Sequence, residues 1–174
     1  MRKPIFLSLR NAQVLAIALR AGSIAIIVNM AMLAVADKFG LVTARGGLLK
    51  LASNFLVAQM SQYGEAQAAS WLIDFTGTPV FQAAFHFVVG LLMAVVFVKF
   101  AGGYLERYAW SAGLIAATFV WIINAAVILP LLGEGVAGSH AISPTGIIYF
   151  AVAHTAFFIL LSLDAKRRLI AESP

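Results

Sequence analysis

The chain has no cysteine and little charge: Asp, Glu, Lys and Arg make up 11% of its 174 residues, against ~25% in soluble domains. Without cysteine there are no disulfides, thiolate-held metals or iron–sulfur clusters, and thiol usage says nothing of the redox compartment. No Walker loop, zinc-protease helix or nucleophile elbow occurs, and Gly133-Glu134-Gly135 is too short to cradle a phosphate. The carboxylates are shallow as well as few. Asp37, Asp74, Glu134 and Asp164 stand at the ends of apolar runs, whereas a proton-coupled pump usually carries one in its path. These absences point to a non-enzymatic protein.

What is present is hydrophobic, at 62% of the chain. Three uncharged stretches, 75–98, 108–133 and 135–163, each exceed the ~20 apolar residues that a helix needs to cross a ~30 Å hydrocarbon core. A shorter run, 21–36, precedes them. The expected fold is an all-α membrane protein. The net charge of +5 does not signal nucleic acid, because the basic residues flank the apolar runs instead of clustering on a polar domain. With the N-terminus in the cytoplasm, Arg2, Lys3, Arg10, Arg20, Lys99, Arg107, Lys166, Arg167 and Arg168 lie inside, and Lys38, Arg45 and Lys50 outside. That bias predicts a four-transmembrane-helix bundle, a single integral domain over 1–174, with spans near 14–36, 79–100, 109–129 and 144–163 and both termini cytoplasmic. Arg20 lies inside the first span, with a stem long enough to snorkel to the headgroups. Ala34-Val35-Ala36 before Asp37 looks like a signal-peptidase site, but a charged region reaching Arg20 and Asn29 within the apolar run favour an uncleaved first helix.

The segment 37–78 is too long and too apolar for a plain loop. Leu48, Leu51, Ala52, Phe55 and Leu56 repeat at helical spacing, which predicts an outer amphipathic helix over 46–60, between helices 1 and 2. It would lie in the membrane interface or cap the bundle. A second short helix is expected over 65–74, past Gly64. Thr78-Pro79 and Ser143-Pro144 each set a capping oxygen before a proline at the first helical position. Gly102-Gly103 are expected to break the second span, Tyr104, Tyr108 and Trp110 to mark the inner interface, and Pro130 to bend or end the third span. Asn29 precedes His86 as Asn124 precedes His154, an order that a duplicated helical hairpin would also produce.

Those four polar residues fall one per expected span. At ~1.5 Å per residue, His86 lies ~10 Å inside Pro79, His154 ~15 Å inside Pro144, and Asn124 and Asn29 ~10 Å from the outer ends of their spans. Polar side chains at such depth face the bundle interior, and Gln82 shares the His86 face. They read first as an interhelical hydrogen-bond network, and in the sharper alternative as a ligand-binding site of His86, His154, Asn124, Gln82 and Asn29. The most concrete cofactor alternative is haem b held by His86 and His154, although no basic pair stands near for its propionates. His140 and Glu134 in the outer turn are too few for a metal site.

Phe85-His86, Trp121-x-x-Asn124, Leu129-Pro130-Leu131-Leu132-Gly133-x-Gly135 and Ala153-His154 together resemble a pattern in small, uncharacterised four-span bacterial inner-membrane proteins. The likeness covers residues 79–163. It implies a bacterial inner-membrane location and no particular activity. The partners expected are the lipid bilayer and, through small-residue helix faces, another membrane protein or a second copy of the chain.

Overall fold

The computed structural model describes Phe6, residues 10–44 and residues 46–172; Arg2, Lys3 and Arg45 of the charge count lie outside the described residues. The protein is all-helical, 87% helix with no strands among the described residues. Its helices are α1 Asn11–Lys38, α2 Gly47–Gln62, α3 Ala66–Gly77, α4 Pro79–Ile123, α5 Leu129–Leu131 and α6 Pro144–Ala171, with a π-helical turn Asn124–Ile128 joining α4 to α5. Three helical stretches are long and apolar enough to cross a membrane: α1, α6 and the 53-residue run Pro79–Leu131. In the most apolar window of that run only 17% of residues are buried. A water-soluble fold would hide such a surface, so the arrangement is consistent with a membrane-embedded protein.

Pro79–Leu131 is not straight. A helix of that length would measure ~80 Å, and Tyr108 interrupts it with non-helical backbone (φ −127°, ψ 35°). Val89 and Val120 line the same cavity, although a straight helix would hold them ~45 Å apart. Phe97, before Tyr108, meets Phe158 edge-on with ring centroids 5.7 Å apart. Gly113, after it, packs so closely on the same level of α6 that an added Cβ would lie 2.9 Å from the Phe158 carbonyl oxygen. The chain therefore doubles back, and two arms of α4 lie side by side. The reversal corrects the expectation for Gly102-Gly103. Both glycines stay helical, and Gly102 is buried where Phe6 crosses it.

The other end signals act as their chemistry demands. Thr78 Oγ1 accepts from the Phe81 N–H at 3.3 Å and Ser143 Oγ from the Gly146 N–H at 3.2 Å, each with proline at the first helical position. Pro130 lacks an N–H and its ring crowds the carbonyl one turn back. The π-helical widening at Asn124–Ile128 takes up that conflict, and the helix ends just past the proline.

The core lies between α1, the two arms of α4 and α6. On α1 its stripe is Ile17, Ala18, Ala21, Gly22, Ala25 and Ile26, and an added Cβ on Gly22 would stand 2.5 Å from Ala94 Cβ. Small residues at this seam let the backbones approach. A second buried cluster, Leu33, Ala44, Leu129, Ile142, Phe150 and Ala153, closes the end near the 132–143 turn. Over that end lies α2. It starts after Gly46 in the left-handed region (φ 80°), buries Gly47 and Leu49, and is tied to the turn by Lys50 Nζ donating to Glu134 Oε1 at 3.2 Å. Leu48, Ala52, Phe55 and Leu56 are exposed. Ala52, Phe55 and Leu56 of the expected apolar stripe thus look away from the bundle, Leu51 is half-buried, and Leu48, though exposed, lines the same cavity as Val89 and Val120.

Candidate functional site

Asn29, Gln82, His86, Asn124 and His154 line one cavity of about 310 Å³ between α1, both arms of α4 and α6, roofed by the start of α2. Each arrives there through helical register. Asn29 continues the buried stripe of α1 and is only 2% exposed. Gln82, His86 and Gly90 share a face of the first arm, and an added Cβ on Gly90 would collide with Ile26. Asn124 opens the π-helical turn, a distortion that often marks functional positions. His154 follows the buried Ala153 on α6.

Direct bonds join only part of the set. Asn29 Nδ2 donates to the Ala153 carbonyl at 2.9 Å, so its Oδ1 is the acceptor that faces His86, with His86 Nε2 at 2.9 Å. His86 Nε2 must therefore carry a hydrogen. His154 Nδ1 lies 3.1 Å from the Phe150 carbonyl oxygen and donates to it, and its ring packs 4.2 Å from that of Phe150. Asn124 Nδ2 donates to Val120 O at 3.0 Å, and Gln82 Nε2 turns away to Gly77 O at 3.1 Å. Asn29 and His86 thus link α1 to α4 and α6, whereas Asn124, His154 and Gln82 bond only to their own neighbourhood.

Besides Gln82 Oε1, which has no protein partner among the described residues, two acceptors remain. With its Nδ1 hydrogen engaged, the uncharged His154 ring keeps a lone pair on Nε2, and Asn124 keeps its Oδ1. Neither atom has a protein partner among the described residues. Neither is sealed off, because no buried side-chain nitrogen or oxygen among those residues goes unpartnered. The cavity thus presents hydrogen-bond acceptors against walls that include Phe85, Phe150 and Phe157. Among the described residues, no carboxylate and no cationic side chain lines it. Glu134 of the 132–143 turn is engaged by Lys50, and no three of the described His, Asp and Glu residues come together as a metal site.

Sequence reasoning did not find the cavity roof, Ala44, Gly46, Gly47 and Leu49, for which the Gly46-Gly47 pair is the only local signal. It also missed Tyr149, whose hydroxyl donates to the Met32 carbonyl at 2.7 Å across α1 and α6. The fold and site define an all-helical protein with three helices fit to cross a membrane and a polar-lined cavity among them. No known protein family, curated protein or solved structure matches this chain.

Proposed function

We propose that this is a four-span protein of a bacterial inner membrane, with both termini cytoplasmic, that binds a small uncharged ligand in the cavity among its spans. The reversal at Tyr108 supports four crossings, since the helical run Pro79–Leu131 is divided there into two stretches, 79–107 and 109–131, each of more than ~20 residues. The observation that carries the binding role is the unpartnered pair, Asn124 Oδ1 and His154 Nε2. A purely structural network closes on its own donors and acceptors, whereas this one leaves two acceptors facing a space of about 310 Å³, the size of a small-ligand pocket. Such a ligand must donate a hydrogen bond. It should be neutral, because no charged group among the described residues lines the cavity to compensate a buried charge.

Two other readings are less well supported. A partner-subunit role drew on the small-residue faces around His86 and Asn124, but Gly90, Gly113 and Ala117 of those faces are buried inside the fold. Bis-histidine haem b asks each imidazole for a lone pair aimed at one iron. His86 Nε2 instead turns its hydrogen to Asn29.

The test uses 4-propylphenol, an aromatic donor with no charge, added to purified protein in lipid nanodiscs and corrected for partition into protein-free discs. Saturable binding, weakened at least tenfold in the His154→Phe/Asn124→Leu double variant, is the expected result. No saturable binding, or a Soret band in the purified protein that His86→Ala removes, would contradict the proposal.

A further inference from the structure

The polar cavity does not end at its own walls. Beside it, between the two arms of α4, runs an apolar groove of about 870 Å³, and Leu48, Val89, Met93 and Val120 line both spaces. Leu92 and Val96 flank the groove on the first arm, Ala112 and Ala116 on the second, and Phe158 of α6 also lines it. Ala112 and Ala116 stand one turn apart on one face, and their small side chains leave space within the groove. The groove reaches Tyr104 and Tyr108 at the reversal. From Val89 to Tyr104 it follows ~22 Å of helix.

Given the reading of the cavity as a ligand site, we infer that its ligand is a single-chain amphiphile: a neutral hydroxyl-bearing head bound to His154 and Asn124, and a long hydrocarbon tail in the groove. The two spaces adjoin in the order such a molecule requires, acceptors at one end and hydrocarbon walls along the rest. A transmembrane helix from a second copy is the competing occupant. It would cover the hydrocarbon-walled groove but leave the acceptors of the adjoining cavity unmet, whereas an amphiphile with a hydroxyl head satisfies both spaces. Partition of its tail concentrates such a molecule in a membrane, at ~0.8 kcal/mol per buried CH₂. Val89, Met93 and Val120 would then contact the junction of head and tail.

The experiment uses 4-dodecylphenol with a photoreactive diazirine near the tail end, irradiated with the protein in nanodiscs, and compares it with tail-less 4-propylphenol. The expected labels fall on Val96, Phe100 and Ile115, and excess 4-propylphenol suppresses them because both heads compete for the cavity. Ala116→Trp, which fills the groove, should cut tail labelling at least fivefold and leave 4-propylphenol binding within twofold. Labels spread over outward residues such as Ile27 and Ile148 and indifferent to 4-propylphenol would overturn the inference, while the cavity reading survives if 4-propylphenol still binds. Failure of 4-propylphenol itself to bind would overturn both. Labels absent from the groove, with a cross-linked dimer joined through it, would assign that surface to a second copy and also overturn the inference.

Discussion

Asn29 shows what one residue does here. Both ends of its amide are used, on the Ala153 carbonyl and on His86, so Asn29→Leu removes one donor from a buried carbonyl and one acceptor from a ring N–H. In water-soluble cores such a loss costs ~1–3 kcal/mol; in membranes, interhelical hydrogen bonds average nearer ~0.6 and reach ~1.7 kcal/mol. Asn29→Leu should therefore destabilise the protein by about 1–2 kcal/mol in an unfolding titration in bicelles. A double-mutant cycle with His86→Phe should show a coupling of about 0.5–1.5 kcal/mol, and strictly additive effects would contradict the contact. Depth along the chain was legible without a structure: one polar residue per apolar run, at similar distances from the run ends, and these side chains now line one cavity. The pairing was not. Periodicity says which face a residue occupies, but the rotation of each helix about its neighbour decides that His86 meets Asn29 instead of Gln82 or Asn124. Tyr149 was invisible for a related reason, since its bond to Met32 depends on where two helices cross.

At the scale of elements, the glycines separate close packing from mere presence. Gly113 lies against the Phe158 carbonyl and the Ser162 hydroxyl, and backbone cannot yield as a flexible side chain can. Gly113→Val should cost about 2–3 kcal/mol by forcing the second arm off α6. Gly103, by contrast, has nothing within 4 Å of an added Cβ and sits in helix. Gly103→Ala should be neutral or stabilise by up to about 1 kcal/mol, and marked destabilisation in the same unfolding titration would mean that the glycine pair is a turn after all. The expectation of a break at Gly102-Gly103 failed because glycine only permits a turn. The backbone departs from helix at Tyr108, and Gly102 is spent on the approach of Phe6. Caps were legible because their chemistry is local: Thr78-Pro79 and Ser143-Pro144 need only their own next turn. Helix α2 was legible as a helix, but not in its orientation. Ala52, Phe55 and Leu56 of its stripe look outward while Leu49 looks in, which suits a helix resting on the lipid interface. Phe55→Asp should therefore weaken the seating of α2, read as faster amide exchange over residues 50–60 in nanodiscs, with little change in global stability. Leu49→Asp should lower global stability by about 2–3 kcal/mol. Equal effects from the two changes would reject that orientation.

For the molecule as a whole, the run lengths sufficed to expect apolar helices, and three long enough to cross a membrane are there, consistent with a membrane-embedded protein. The number of crossings turns on the reversal at Tyr108. It sets both arms of α4 against one level of α6, gathers residues from each into the cavity, and opens the groove between them. If the reversal lies at one membrane face, Tyr104 shares a side with the C-terminal basic cluster Lys166, Arg167 and Arg168, opposite the 132–143 turn. The chain has no cysteine, so single cysteines can be introduced without a background. The most direct test is labelling of Tyr104→Cys and Ser139→Cys by a membrane-impermeant maleimide, in sealed vesicles of each orientation. Four crossings predict that Ser139→Cys reacts only from the outer side and Tyr104→Cys only from the cytoplasmic side. Reaction of both from the same side would contradict the four-span account, and with it the placing of the polar cavity among four spans.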